Sequence, residues 1–176
     1  SAVNPPPATP QPKTVALVGN PNCGKTTLFN ALTGSRYKVA NYPGVTVEKK
    51  EGSLQLKDGS CARLLDLPGT YALEGSSMDE KIVTSVLQGK LPGVPRPDLI
   101  VAVVDATNLE RNLFLVSELI DEGFPIVLAV NMIDAADEAG IKVYEELLSR
   151  SLDVTTVAIS AREKRGIDSL VEAIGS

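Results

Sequence analysis

The 176-residue sequence contains no histidine, which excludes imidazole acid–base catalysis and histidine metal sites. Cysteine is scarce: Cys23 and Cys61 lie far apart and form no CxxC pair. That is no disulfide framework, and it fits a reducing compartment. No apolar run approaches the ~20 residues of a membrane-spanning helix. The amino terminus is proline-rich, not basic then apolar, so no secretory signal is read there. It opens on serine, which fits a processed chain or a fragment. Positive charge is in deficit, with 17 Lys and Arg against 22 Asp and Glu, a net charge of −5. An acidic chain without a basic, aromatic-lined patch is a poor nucleic-acid binder, and no nucleic-acid partner is expected. Apolar side chains are plentiful at 43%, enough for one domain with a full core.

The organising stretch is 14–30. An apolar run, Thr14-Val-Ala-Leu-Val18, leads into Gly19-Asn-Pro-Asn-Cys-Gly24-Lys25-Thr26, and Thr27 opens a helix. The spacing is that of a phosphate-binding P-loop. Gly19 and Gly24 are expected to let the backbone curl so that successive N–H groups face phosphate oxygens. The following helix aims its positive dipole end at the same point. Lys25 supplies a point charge for the β- and γ-phosphates, and the Thr26 hydroxyl a ligand for Mg²⁺.

In chain order, residues 1–13 read as a flexible, polyproline-like leader, and 14–176 as one domain. Strands are expected at 14–18, 46–56, 61–65, 99–104, 125–130 and 155–159. The runs at 99–104 and 125–130 are continuously apolar, the mark of strands buried on both faces. Helices are expected at 24–32, 78–88 with Ser77 as N-cap, 107–121, 135–139, 143–150 and 167–174. Residues 35–45 carry no periodic signal and include Asn41-Tyr-Pro-Gly44, which reads as a turn in a mobile loop. The alternation predicts a three-layer α/β/α sandwich on a mostly parallel, six-stranded sheet. Ligands bind such sheets at the carboxyl ends of the strands. Four candidate boxes follow strands and share that edge: the P-loop, Asp66, Asn131 and Ser160.

Each box has its own chemistry. Asp66 in Asp66-Leu-Pro-Gly69 can hold Mg²⁺, and the Gly69 N–H can bond a γ-phosphate. Thr46, at the end of the 35–45 loop, can reach Mg²⁺ only when a γ-phosphate orders that loop, which makes a switch. In Asn131-Met-Ile-Asp134, the Asp134 carboxylate can accept the two N–H groups that guanine presents and adenine lacks. Asn131 is expected to brace the loop, and Ser160-Ala161 to close the base pocket, with the Ala161 N–H facing the guanine oxygen.

In order, these boxes resemble those of small Ras-like GTPases. Three stretches are narrower still: the P-loop, Asn41-Tyr-Pro-Gly-Val-Thr-Val-Glu48 and Asp66-Leu-Pro-Gly-Thr-Tyr-Ala-Leu73. They resemble the GTPase domain of the ferrous iron transport protein B (FeoB) family, over about residues 14–174. The resemblance implies GTP hydrolysis as a switch for Fe²⁺ uptake, at the cytoplasmic face of a bacterial inner membrane. It also implies downstream helical and membrane domains; self-association is left open. Lys25, Thr46, Gly69 and Asn22 are the implied catalytic set. Cys23, Thr27, Met132 and Arg162 join the implied nucleotide contacts.

The resemblance further implies K⁺ as activator, held by the Asn22 side chain and the Ala40 and Tyr42 carbonyls. Positive charge is wanted near the β/γ bridge, and no arginine stands close before Thr46; the nearest, Arg36, is ten positions away. Two departures stand out. Thr70 occupies the position of the water-orienting glutamine in Ras-like proteins, so slow hydrolysis is expected. Met132 replaces the usual lysine of its box and can pack on a base without charge. Asp79 and Glu80 match an acidic pair in the family's second switch and read here as solvated helix-start charges. Cys23 reads as a small side chain that fits the turn, with redox gating through a lowered pKa as the alternative. Competing functions are a ribosome- or RNA-associated GTPase, or a nucleotide-sensing module with negligible turnover.

Overall fold

The structure, a computed structural model, describes residues 13–176. The expected leader therefore lies outside the described residues except for Lys13. That residue belongs to the fold: its ammonium donates to the Ile174 carbonyl at 2.7 Å.

The described elements are β1 (Thr14–Gly19), α1 (Lys25–Thr33), β2 (Tyr37–Asn41), β3 (Glu48–Gln55), β4 (Cys61–Asp66), α2 (Met78–Leu87), β5 (Leu99–Asp105), α3 (Leu109–Asp121), β6 (Ile126–Asn131), α4 (Ile133–Glu138), α5 (Glu145–Leu152), β7 (Thr155–Ala158) and α6 (Ile167–Gly175). The strands form one sheet in the order β2-β3-β4-β1-β5-β6-β7. β4, β1, β5, β6 and β7 are parallel to one another, while β3 pairs antiparallel with both β4 and β2. β1 is thus flanked on both sides by parallel partners, which fits its six fully buried residues.

The period-two alternation of the central strands divides the core. Val15, Leu17, Val101 and Val103 face α1 and α6, packing with Leu28, Phe29, Leu170 and Ile174. Ala16, Val18, Ile100, Ala102 and Val104 face the opposite layer, with Ile82 and Val86 of α2 and Leu115 and Leu119 of α3. This is the expected α/β/α sandwich. Ser77 caps α2 as expected, its hydroxyl accepting the Glu80 N–H at 3.2 Å.

The sheet has seven strands, not six. The extra strand, β2, comes from the stretch read as a mobile loop. All five of its residues are exposed, so it carries no apolar signature. It forms because its backbone pairs with β3, in a register that sets Ala40 opposite Lys49. The hairpin turn is Tyr42-Pro-Gly-Val45, one residue on from the Asn41–Gly44 stretch read as a turn: Val45 N–H donates to the Tyr42 carbonyl at 3.3 Å, and Tyr42 N–H to the Val47 carbonyl at 2.9 Å. Proline second and Gly44 third, at φ +75°, meet the demands of a type II turn.

Candidate functional site

The carboxyl ends of β1, β4, β6 and β7 open on one edge, where two adjoining cavities share Gly24 and Thr27 as common wall. The larger, about 420 Å³, is lined by Asn22, Lys25, Thr26, Gly69 and Asp79 among others. The smaller, about 270 Å³, is lined by Asn131, Met132, Asp134, Ala161, Arg162 and Glu138.

The loop between β1 and α1 owes its shape to two residues in the left-handed region, Asn22 at φ +66° and Gly24 at φ +83°. Gly19 is not one of them, contrary to the expectation that it curls the loop. Its small size is required because a Cβ there would lie 2.6 Å from the Val103 carbonyl and 2.7 Å from the Cys23 sulfur. Gly24 is held closely: a Cβ would lie 2.3 Å from the Asn131 amide nitrogen. That nitrogen donates to the Cys23 carbonyl at 3.0 Å, while the Asn131 Oδ1 accepts the Ala161 N–H at 3.0 Å. One buried amide thereby ties the P-loop to the Ser160 loop. The Ala161 N–H, expected to face a guanine oxygen, is directed at Asn131 instead.

Lys25 Nζ lies 2.5 Å from Asp66 Oδ1, and the two side chains are 10% and 8% exposed. Gly69 follows at the cavity wall and abuts the P-loop, since a Cβ there would stand 3.1 Å from the Pro21 Cα. Thr70 turns away from the cavity: it is buried, and its hydroxyl donates to the Ala72 carbonyl at 2.7 Å. No hydroxyl is offered to a water at the position where Ras-like proteins carry glutamine. Asp79, read from sequence as a solvated charge, does line the phosphate-side cavity. Its place depends on the path of residues 70–77, which carry no periodicity to read.

In the smaller cavity, Asp134 is partly buried, which pushes its carboxyl up. The Ser160 hydroxyl, the Ala135 and Asp134 N–H groups and the Arg162 charge outweigh this and hold it below the ordinary 3.8. Arg162 approaches Asp134 at 3.1 Å. Ser160 is fully buried; its N–H and carbonyl pair with Arg165, and its Oγ accepts the Glu163 N–H at 3.1 Å. This knot presents Ala161 and Arg162 to the cavity. Met132, left-handed at φ +67°, caps α4 and packs toward Gly24.

Burial raises the Cys23 thiol to about 11, against a smaller opposing pull from Lys25. A thiol so placed is protonated at neutral pH, so the packing role holds and a lowered pKa does not. Thr46, Ala40 and Tyr42 are not among the residues lining either cavity. Thr46 is exposed after the hairpin turn, and Ala40 sits in the edge strand. The Tyr42 side chain is buried, with its hydroxyl unpartnered among the described residues and its pKa pushed up by burial, then by the nearby Asp66 and Glu51 charges.

The donor set fits a phosphate group: Lys25, the α1 amino terminus and the Gly24 cradle converge on one cavity. Thr26 and Asp66 fit a hard cation, offering a hydroxyl and a carboxylate. For K⁺ the fit is incomplete. Only Asn22 of its three expected ligands lines the cavity, and the Tyr42 carbonyl accepts from Val45.

Comparison with known proteins gives consistent results. The family model of ferrous iron transport protein B matches residues 13–174. The Fe(2+) transporter FeoB of Escherichia coli K12 is 45% identical over 166 residues, which make up 92% of this chain and 21% of the transporter. The chain thus spans about a fifth of the length of such relatives. Among solved structures, the FeoB G-domain of Methanococcus jannaschii matches with a TM-score of 0.80 at 41% identity, covering 94% of this chain and 96% of that one. The cytosolic domain of L. pneumophila FeoB matches with a TM-score of 0.84 at 42% identity, covering 92% and 62%. A substituted S. thermophilus NFeoB bound to GDP matches with a TM-score of 0.82 at 44% identity, covering 92% and 61%. With its motifs in order, its fold matched by solved FeoB structures and the family model matching residues 13–174, this chain belongs to the ferrous iron transport protein B family.

Proposed function

We propose that this chain is a guanine-nucleotide-binding domain that hydrolyses GTP slowly and acts as a switch for Fe²⁺ uptake in a longer membrane polypeptide. The observation that carries it is the junction of the two cavities at Gly24 and Thr27, with Lys25 on one side and the acid-shifted Asp134 on the other. A nucleotide laid across that junction sets its phosphates against Lys25 and its base against Asp134. The GDP-bound relative supports the choice of guanine. Among the described residues no helix is long and apolar enough to cross a membrane.

Phosphoryl transfer to water needs positioning and charge more than covalent chemistry. Lys25 neutralises phosphate charge, Asn131 keeps the P-loop in shape, and Gly69 offers an N–H at the cavity wall. Thr26 and Asp66 would hold Mg²⁺, which when bound would supply positive charge at the phosphates. The Thr70 hydroxyl, bound to the Ala72 carbonyl, is not offered as a general base; this supports slow turnover. Of the three K⁺ ligands that the resemblance implies, Asn22 lines the cavity and Ala40 and Tyr42 do not.

Calorimetry tests the reading. GDP and a GTP analogue are expected to bind and ADP and ATP not to, and Asp134→Asn is expected to erase that preference. Comparable affinity for ATP would sink the guanine assignment.

A further inference from the structure

Residues 70–73 directly follow Gly69, and four neighbours pin them. Thr70 N–H donates to the Gly19 carbonyl of the P-loop at 3.0 Å. The Arg111 guanidinium sits 4.5 Å over the centre of the Tyr71 ring. Leu73 N–H donates to Glu118 Oε1 at 3.1 Å, and the Leu73 carbonyl accepts the Thr84 hydroxyl at 2.8 Å. Arg111 and Glu118 lie about two turns apart on one stripe of α3. The Arg111 carbonyl accepts from the Asn20 amide at 3.5 Å, so the same turn of α3 also touches the P-loop.

The two contacts from α3 lie outside the core, with Tyr71 46% exposed and Arg111 exposed, while Leu73 packs on the edge of the α2–α3 layer. Their effect is local. Gly69 has no side chain, so the direction of its N–H is set by what holds its neighbours. The pinned path is the one that keeps Gly69 at the wall of the phosphate-side cavity. A diphosphate needs no contact with Gly69, whereas a γ-phosphate does.

We infer that Arg111 and Glu118 are positioning residues through which α3 sets the preference of the site for a triphosphate over a diphosphate. The inference rests on the guanine-nucleotide reading above. The cation–π contact and the charged acceptor are separable, because Arg111→Lys keeps a cation and Glu118→Gln keeps an acceptor oxygen.

The experiment uses the full chain and the variants Arg111→Ala, Arg111→Lys, Glu118→Ala and Glu118→Gln. Affinities for GDP and for a non-hydrolysable GTP analogue are measured, with Tm and amide hydrogen exchange of residues 70–73. The two alanine variants are expected to weaken analogue binding by about tenfold, the scale of one lost charge-assisted contact. GDP affinity and Tm are expected to hold, exchange at 70–73 to rise, and the conservative variants to restore most of the analogue affinity. Parallel loss of GDP and analogue affinity would overturn the inference, as would unchanged analogue affinity despite faster exchange. A wild-type chain that binds neither nucleotide overturns the guanine reading and the inference together. A wild type that binds both, with variants that do not separate them, overturns the inference alone.

Discussion

The Asn131 amide nitrogen donates to the Cys23 carbonyl at 3.0 Å and occupies the space that a side chain at Gly24 would need. Nucleotide loop and base loop are therefore one packed unit, and their coupling is measurable. Asn131→Ala strands the Cys23 carbonyl and the Ala161 N–H in a buried setting, at about 1–3 kcal/mol for each unsatisfied group. Gly24→Ala forces a Cβ into the Asn131 amide at a left-handed residue. Both substitutions are expected to lower stability in denaturant melts. Because the second clash disappears with the first side chain, the double variant is expected to lose less than the sum. Strict additivity would show that the contact carries no energy.

The Lys25–Asp66 pair separates stability from binding. Lys25→Met leaves a carboxylate that is 8% exposed without its cation, and breaking such a pair costs about 3 kcal/mol. Adding Asp66→Asn removes the stranded charge. The double variant is expected to recover most of the stability and none of the nucleotide binding. Recovery of both, followed by melts and calorimetry, would remove Lys25 from the binding site.

The thiols are expected to differ sharply. Cys61 is exposed, whereas Cys23 is buried with a pKa raised to about 11. At pH 8 a thiol reagent is expected to label Cys61 rapidly and Cys23 only after denaturation. A raised folded pKa contributes stability that is fully present below the ordinary value of 9.0 and lost as pH climbs toward about 11. Cys23→Ala is expected to flatten that part of the stability profile, and an unchanged slope would show that the thiol is not the cause.

Asn22 alone among the expected K⁺ ligands stands at the cavity. We expect faster GTP turnover in KCl than in NaCl, and loss of that difference in Asn22→Gly. Glycine is the cleaner replacement because it keeps φ +66° without strain. The variant is expected to retain GDP affinity. Equal wild-type rates in both salts would end the K⁺ role.

The placement of the candidate groups was legible where residue type and spacing are local. Gly24, Lys25 and Thr26 stand together at the start of α1, Asp66 and Asn131 each end a strand, and Ser77 caps the helix next to it. Such signals are local, and local spacing survives in sequence. The three layers of the sandwich followed for the same reason, from period-two and period-3.6 patterns. Contacts between distant segments were not legible. β2 exists only because β3 offers it a hydrogen-bonding edge, and its exposed residues leave no apolar trace. Gly19 is small because Val103 and Cys23 crowd it, not because the loop must curl there. The Ala161 N–H is directed at Asn131, Asp79 reaches the cavity by way of an aperiodic segment, and Arg111 and Glu118 meet residues 71–73 only once α3 has packed. The sequence alone determined which groups are available to a nucleotide. The tertiary structure decided which of them meet, because backbone pairing, burial and side-chain contact join residues whose separation along the chain carries no information about their distance in space.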